Sequence, residues 1–167
     1  MDLKNIHPAV KGAAGATAVW LVLAVALVGP FEGLALKPYV DWIGRGHPEP
    51  WCYGMTAADG DPPPYSKVFT KEECDTDLGR DLVIYDAMVH KCVHVTLPPH
   101  REAALVSFTY NLGVGALCHG AVARRLNYGD VVGGCRAMLG YDHASGRRVT
   151  GLTRRRQAEY RECLRSD

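Results

Sequence analysis

Residues 12–31, GAAGATAVWLVLAVALVGPF, carry no charge, so any fold of this chain must give that run an apolar environment. A spanning helix needs about 20 predominantly apolar residues, a length the run just reaches. It is rich in Ala and Gly rather than Leu and Ile, and at ~0.8 kcal/mol per buried CH₂ such residues hold a helix in lipid only weakly. Four destinations are open: a cleaved secretory signal, a permanent anchor, a buried core helix, and a helix that spans a membrane first and leaves it afterwards. A cleaved signal has a basic leader, about 7–15 apolar residues and a small-residue cleavage site. Here the leader MDLKNIHPAVK sets Asp2 against Lys4 and Lys11, and the apolar run is longer. Glu32 follows the run directly, and Asp41 comes nine positions later.

The chain after Phe31 is long enough for one globular domain and too short for two. A formal net charge of +1 makes no general case for nucleic acid. Charge is concentrated near the C-terminus, where Arg147, Arg148, Arg154, Arg155, Arg156, Arg161 and Arg165 face only Glu159 and Glu162. That stretch reads either as a solvated helix face laced by Arg and Glu or as a surface attracting an anionic polymer or membrane. Cys52, Cys74, Cys92, Cys118, Cys135 and Cys163, in a small chain with an export-type N-terminus, point to disulfides in an oxidising compartment. The residues alone leave the pairing open among 15 connectivities. No Cys pair has the CxxC or CxxC…H spacing of a zinc site, so no metal is expected.

Turn residues and periodicity set the organisation. Residues 37–65 are dense in Gly and Pro, which fits short strands and loops. Thr70, three residues before Glu73, gives a capping box that opens a helix to about Val89. Pro98-Pro99 starts a second, His100 to Leu112, ending at Gly113. Ala121 to Leu126, Asp130 to Leu139, and Thr153 to Leu164 with Thr153 as its cap read as three more. The expected fold is α+β: mainly helical, with a small β-rich insert.

Two carboxyl groups suffice for glycoside hydrolysis, one protonated to donate to the leaving oxygen and one ionised. The donor needs a raised pKa, which apolar surroundings supply. Glu32, between Phe31 and Gly33-Leu34, suits the acid, and Asp41, in a polar Gly-rich region, suits the charged partner. A helix-terminal Glu and a turn Asp would look the same.

The string EGLALKPYVDWIG, Glu32 to Gly44, resembles the active-site segment of the phage lysozymes of glycoside hydrolase family 24, whose pattern is E, eight residues, D, five residues, T. CYGMT at Cys52 to Thr56, SFTYNLGVG at Ser107 to Gly115, RRLNYGD at Arg124 to Asp130 and GLTRRRQAEYREC at Gly151 to Cys163 are similar to later segments of that family, in the same order. With the Ala/Gly-rich run abutting Glu32, the chain resembles the signal-anchor-release endolysins of that family. The resemblance implies a lysozyme-like two-lobed fold. Residues 1–31 would be the anchor segment and 32–167 the catalytic domain, with a β-rich lobe at about 37–66 and a helical lobe at about 70–167. It implies cleavage of the β-1,4 bond between N-acetylmuramic acid and N-acetylglucosamine in peptidoglycan, by a monomer without a cofactor. The enzyme would be tethered in the host inner membrane through residues 12–31, facing the periplasm, and later released into it. Glu32 and Asp41 take the catalytic positions, Asn111 and Tyr53 substrate-facing ones, and the Cys pairs become Cys52–Cys74, Cys92–Cys118 and Cys135–Cys163.

Departures are equally specific. With five residues between, His47 follows Asp41 where the family has Thr; aligning on CYG instead puts Pro50 there. A His accepts a proton or hydrogen bond, so His47 is the candidate substitute. The family's Arg three residues after the Glu is Ala35, and its His after the YG strand is Met55. The rival expectation is a non-catalytic, membrane-tethered wall-binding protein on the same fold. After release, Val19, Trp20, Leu21, Leu23 and Leu27 are expected to pack against the helical domain.

Overall fold

A computed structural model describes residues 18–40, 49–56 and 62–165. The first element, α1 (Val19–Glu32), is the C-terminal part of the uncharged run. It packs on the helical body through small side chains: Ala24, Val28 and Gly29 are buried. Leu21 and Val25 lie over Gly79 of α2 (Lys71–Val89) at a van der Waals distance. Trp20, Leu21 and Leu23 pack against the core, but Val19, expected inside, is 60% exposed, because the buried stripe runs through Ala24 and Val28 instead. None of the described helices is long and apolar enough to cross a membrane.

The helix α2 starts where the capping box requires. Glu73 N–H donates to Thr70 Oγ1 at 3.1 Å, and Thr70 N–H donates back to Glu73 Oε2 at 2.7 Å, satisfying two orphan donors. The next helix, α3 (Pro99–Leu112), is the hub: every residue from Ala103 to Thr109 is buried. A helix apolar all round must be surrounded, and α1, α2, α4 (Val114–Cys118) and α7 (Thr150–Leu164) enclose it. Helices α5 (Ala121–Asn127) and α6 (Val131–Ala137), then a 3₁₀ turn at Met138–Gly140, complete the body.

Strand pairing lies where it was not expected. Among the described residues the only sheet is the hairpin β1 (His143–Ala144) and β2 (Arg147–Arg148). Its two-residue turn, Ser145-Gly146, has positive φ at both positions, 49° and 75°, the geometry that suits the twist of paired strands. Within the expected β-rich lobe the described residues form two isolated bridges, Ala35 with Cys52 and Trp51 with Met55. Thr153 is not a cap either: α7 begins three residues earlier, and the Thr153 hydroxyl sits near Asp142 Oδ2 at 3.1 Å.

Three disulfides staple the body: Cys52–Cys74, Cys92–Cys118 and Cys135–Cys163. These are the pairs that the resemblance implies. The first fastens the bridge region to the start of α2, and the third joins α6 to the end of α7.

Candidate active site

Glu32 is the last residue of α1, and the local sequence ends the helix there. Pro30 withholds a backbone N–H from the final turn, and Gly33 turns the chain out at a φ of +76°, a region that favours Gly. The Glu32 side chain is 23% exposed, and its Oε1 accepts a hydrogen bond from Arg155 Nη1 at 2.5 Å. The two residues are 123 positions apart, so this pair joins α1 to α7.

Arg155 is itself held from several sides. Its Nε donates to Glu159 Oε1 at 3.2 Å, its Nη2 to the Ser107 carbonyl at 3.4 Å, and its guanidinium lies 5.5 Å from the centre of the Phe31 ring. Glu159 is fully buried and also accepts from Ser107 Oγ and from Arg156 Nη2, both at 2.8 Å. Arg156 Nε stands 2.8 Å from Glu159 Oε2 but off the N–H direction, so that contact is coulombic rather than a hydrogen bond. Arg156 Nη2 reaches Asn111 Oδ1 at 3.0 Å, fixing that amide on the last turn of α3. Burial pushes the Glu159 carboxyl up and the Arg156 guanidinium down, each opposed by the charge of the other. Two guanidinium groups against two carboxylates leave the cluster balanced when Glu32 is ionised.

Of the residues singled out in the sequence, Glu32 and Asn111 are thus linked through Arg155, Glu159 and Arg156. Asp41 and His47 lie outside the described residues, as does the run before Ala18. The chain flanking them is tied: Tyr39 N–H donates to the Pro50 carbonyl at 3.3 Å, and Ala35 pairs with Cys52 beyond it. Tyr53, expected to face substrate, is 6% exposed instead. Its ring lies under α1, where a Cβ on Gly29 would approach it to 3.3 Å, and its hydroxyl donates to Asp75 Oδ1 at 2.6 Å. Burial, then the Asp75 hydrogen bond, raises the Tyr53 phenol. Asp75 is lowered because hydrogen bonds from Lys71 and Tyr53 outweigh the opposing effect of burial.

The basic C-terminal stretch is split by this arrangement. Arg147, Arg148, Arg154, Arg161 and Arg165 are exposed, whereas Arg155 and Arg156 are buried under Glu32 and Asn111. The available signal was the spacing of Glu159, four residues after one and three after the other, which places all three on one helix face.

The phage lysozyme family model matches residues 29–159. A SAR-endolysin of Bacteriophage PS119 is 32% identical over 160 residues, covering 96% of this chain and 92% of the relative. Among solved structures, an endolysin from Escherichia coli O157:H7 phage FAHEc1 is 30% identical, covers 85% of this chain and 90% of its own, and superposes with a TM-score of 0.72. A P22 lysozyme mutant, 24% identical over 85% of this chain and 95% of its own, shares the fold at a TM-score of 0.75. With Glu32 at the start of the matched region and its arginine partner near the end, the chain belongs to the phage lysozyme family and is a glycoside hydrolase of the lysozyme type.

Proposed function

We propose that the chain is a muramidase that cleaves the β-1,4 bond between N-acetylmuramic acid and N-acetylglucosamine in peptidoglycan. Glu32 is its general acid and Asp41 its second carboxylate. The observation that carries the reading is the 2.5 Å pair between Glu32 and the buried Arg155. When Glu32 gives its proton to the leaving oxygen, a negative charge appears on a carboxylate that already faces a fixed guanidinium. Preorganised charge of this kind requires no rearrangement at the moment of reaction. In this reading Asp41 would offset the positive charge that develops on the sugar, and His47, at the spacing of the family's Thr, would orient water. Asn111, held by Arg156, would line the cleft.

Residues 12–31 would hold the enzyme in the inner membrane as a monomer facing the periplasm, until the helix leaves the bilayer and docks as α1. Support comes from the small, weakly lipophilic residues of that run, and from relatives whose names carry the SAR designation.

Turbidity loss of peptidoglycan sacculi tests the chemistry. Gln cannot protonate a leaving group, so Glu32→Gln is expected to lower the rate by at least ~10²-fold, the low end of general-acid contributions. Asp41→Asn is expected to be nearly as damaging. Unchanged rates in a folded Glu32→Gln variant would remove Glu32 from the mechanism, whereas no turbidity loss with the wild type itself would leave a wall-binding protein as the reading.

A further inference from the structure

The junction of α2 and α3 holds a second cluster of chemical groups, unconnected to the hydrolytic site. Asp86 and His90 are four residues apart on one face of the end of α2, and Glu102 stands in the first turn of α3. At 1.5 Å per residue, Glu102 is about 13 Å along α3 from Asn111. The candidate ligand atoms of the three side chains all lie within 4.8 Å of one another. His90 Nε2 is 3.0 Å from Glu102 Oε1 and 3.4 Å from Asp86 Oδ1.

We propose that Asp86, His90 and Glu102 form a binding site for a divalent first-row cation, best suited to Zn²⁺, that clamps α2 to α3.

The hydrogen-bond arrangement is the first argument. One imidazole N–H faces two carboxylates and can serve only one of them. It lies within hydrogen-bond distance of Glu102, while Asp86 Oδ1 is buried without a hydrogen-bond partner among the described residues. A dication in the gap serves both oxygens at once. Geometry agrees for the two contacts of His90: Zn–N and Zn–O bonds of about 2.0–2.2 Å put tetrahedral ligand atoms about 3.3–3.6 Å apart, within a few tenths of an ångström of the 3.0 and 3.4 Å separations, and the two carboxylates lie within 4.8 Å of each other. An imidazole with two carboxylates suits zinc, whereas Ca²⁺ and Mg²⁺ favour all-oxygen sets. The sequence concealed the site because its ligands come from two helices and include no Cys. His90, 46% exposed, leaves a path in and a fourth position for water.

Isothermal titration of the full-length protein, stripped with a chelator and dialysed, tests this with ZnCl₂, CaCl₂ and MgCl₂. One saturable zinc site per chain is expected, absent for calcium and magnesium. His90→Gln and Glu102→Gln should each weaken zinc binding at least tenfold with an unchanged circular dichroism spectrum, and Glu32→Gln should leave it intact. Cobalt loaded at the same site should show the visible absorption of tetrahedral Co²⁺. At a hundredfold excess over Kd, zinc should raise the wild-type Tm by about 5 °C or more. No saturable binding, or zinc affinity unchanged in both His90→Gln and Glu102→Gln, would overturn the site and reduce the cluster to a histidine shared between two acids. Zinc affinity lost in Glu32→Gln alone would place the ion at the hydrolytic carboxylates and equally overturn it.

Discussion

At the scale of single residues, the geometry of Arg155 separates its charge from its shape. Its guanidinium donates in three directions, to Glu32, Glu159 and the Ser107 carbonyl, and an ammonium at the tip of a flexible stem cannot reproduce that fork. Arg155→Lys is therefore expected to keep the net charge and lose the fixed partner of Glu32. Losing one hydrogen bond to a charged group costs about 1.5–3 kcal/mol, so kcat should fall by about tenfold or more with KM little changed. Initial lysis rates over a range of sacculus concentrations would measure both; a wild-type kcat would deny Arg155 a positioning role. Glu32 was picked out in the sequence as a candidate by its spacing to Asp41, the preceding apolar run and the family resemblance, and the structure adds its contact with Arg155. Arg155 and Arg156 were not, since a run of arginines reads as solvated until a buried acid is known to lie beneath it.

Among the elements, helices with explicit stop and start chemistry were legible and short paired segments were not. The capping box at Thr70 and the Pro-Pro and Gly that bracket α3 fix ends to within a residue. By contrast, α4 has five residues, and each strand of the hairpin has two, too few for any period to show. The cap itself is testable by pH. Lys67 first, and then the Thr70 backbone N–H, hold the Glu73 carboxyl below its ordinary value. Its folded pKa being depressed, its contribution is complete above about 4.5 and disappears as pH falls through the folded value. Melting curves of wild type and Glu73→Gln should differ at pH 7 and converge under acid; a gap that persists below pH 3 would contradict the cap. The Cys52–Cys74 bridge closes a 22-residue separation, for which chain entropy predicts about 3 kcal/mol. The Cys52→Ser/Cys74→Ser double variant should lower the urea midpoint accordingly. Its activity should fall further than its stability, because the bridge holds the segment paired with Ala35, three residues past Glu32.

For the whole molecule, the docking of α1 decides whether Glu32 meets Arg155 at all. The contact depends on small side chains, so enlarging one tests it from both sides. Ala24→Leu overfills a fully buried position, at a cost of typically 1–3 kcal/mol. The added carbons also favour lipid by ~0.8 kcal/mol each. Both effects push the helix out of the body and toward a bilayer, so fractionation of expressing cells should find more of this variant with the membrane and less lysis. Equal partitioning of variant and wild type would dissociate docking from tethering. Sequence composition showed that this run could suit either environment. It could not show which residues make the contact, because Val19, 60% exposed, and the fully buried Ala24 are both apolar and lie on different sides of one helix.

The three disulfides close between residues 52 and 163, and Glu32 lies outside every loop they form. Mechanically, the molecule is a riveted frame carrying one strut fixed by contact alone, and that strut bears the proposed acid. A pull on the N-terminus would peel α1 from the frame before any rivet bore tension, and would part Glu32 from Arg155 in the same stroke. Under such a load the frame would stay assembled while the proposed acid was withdrawn.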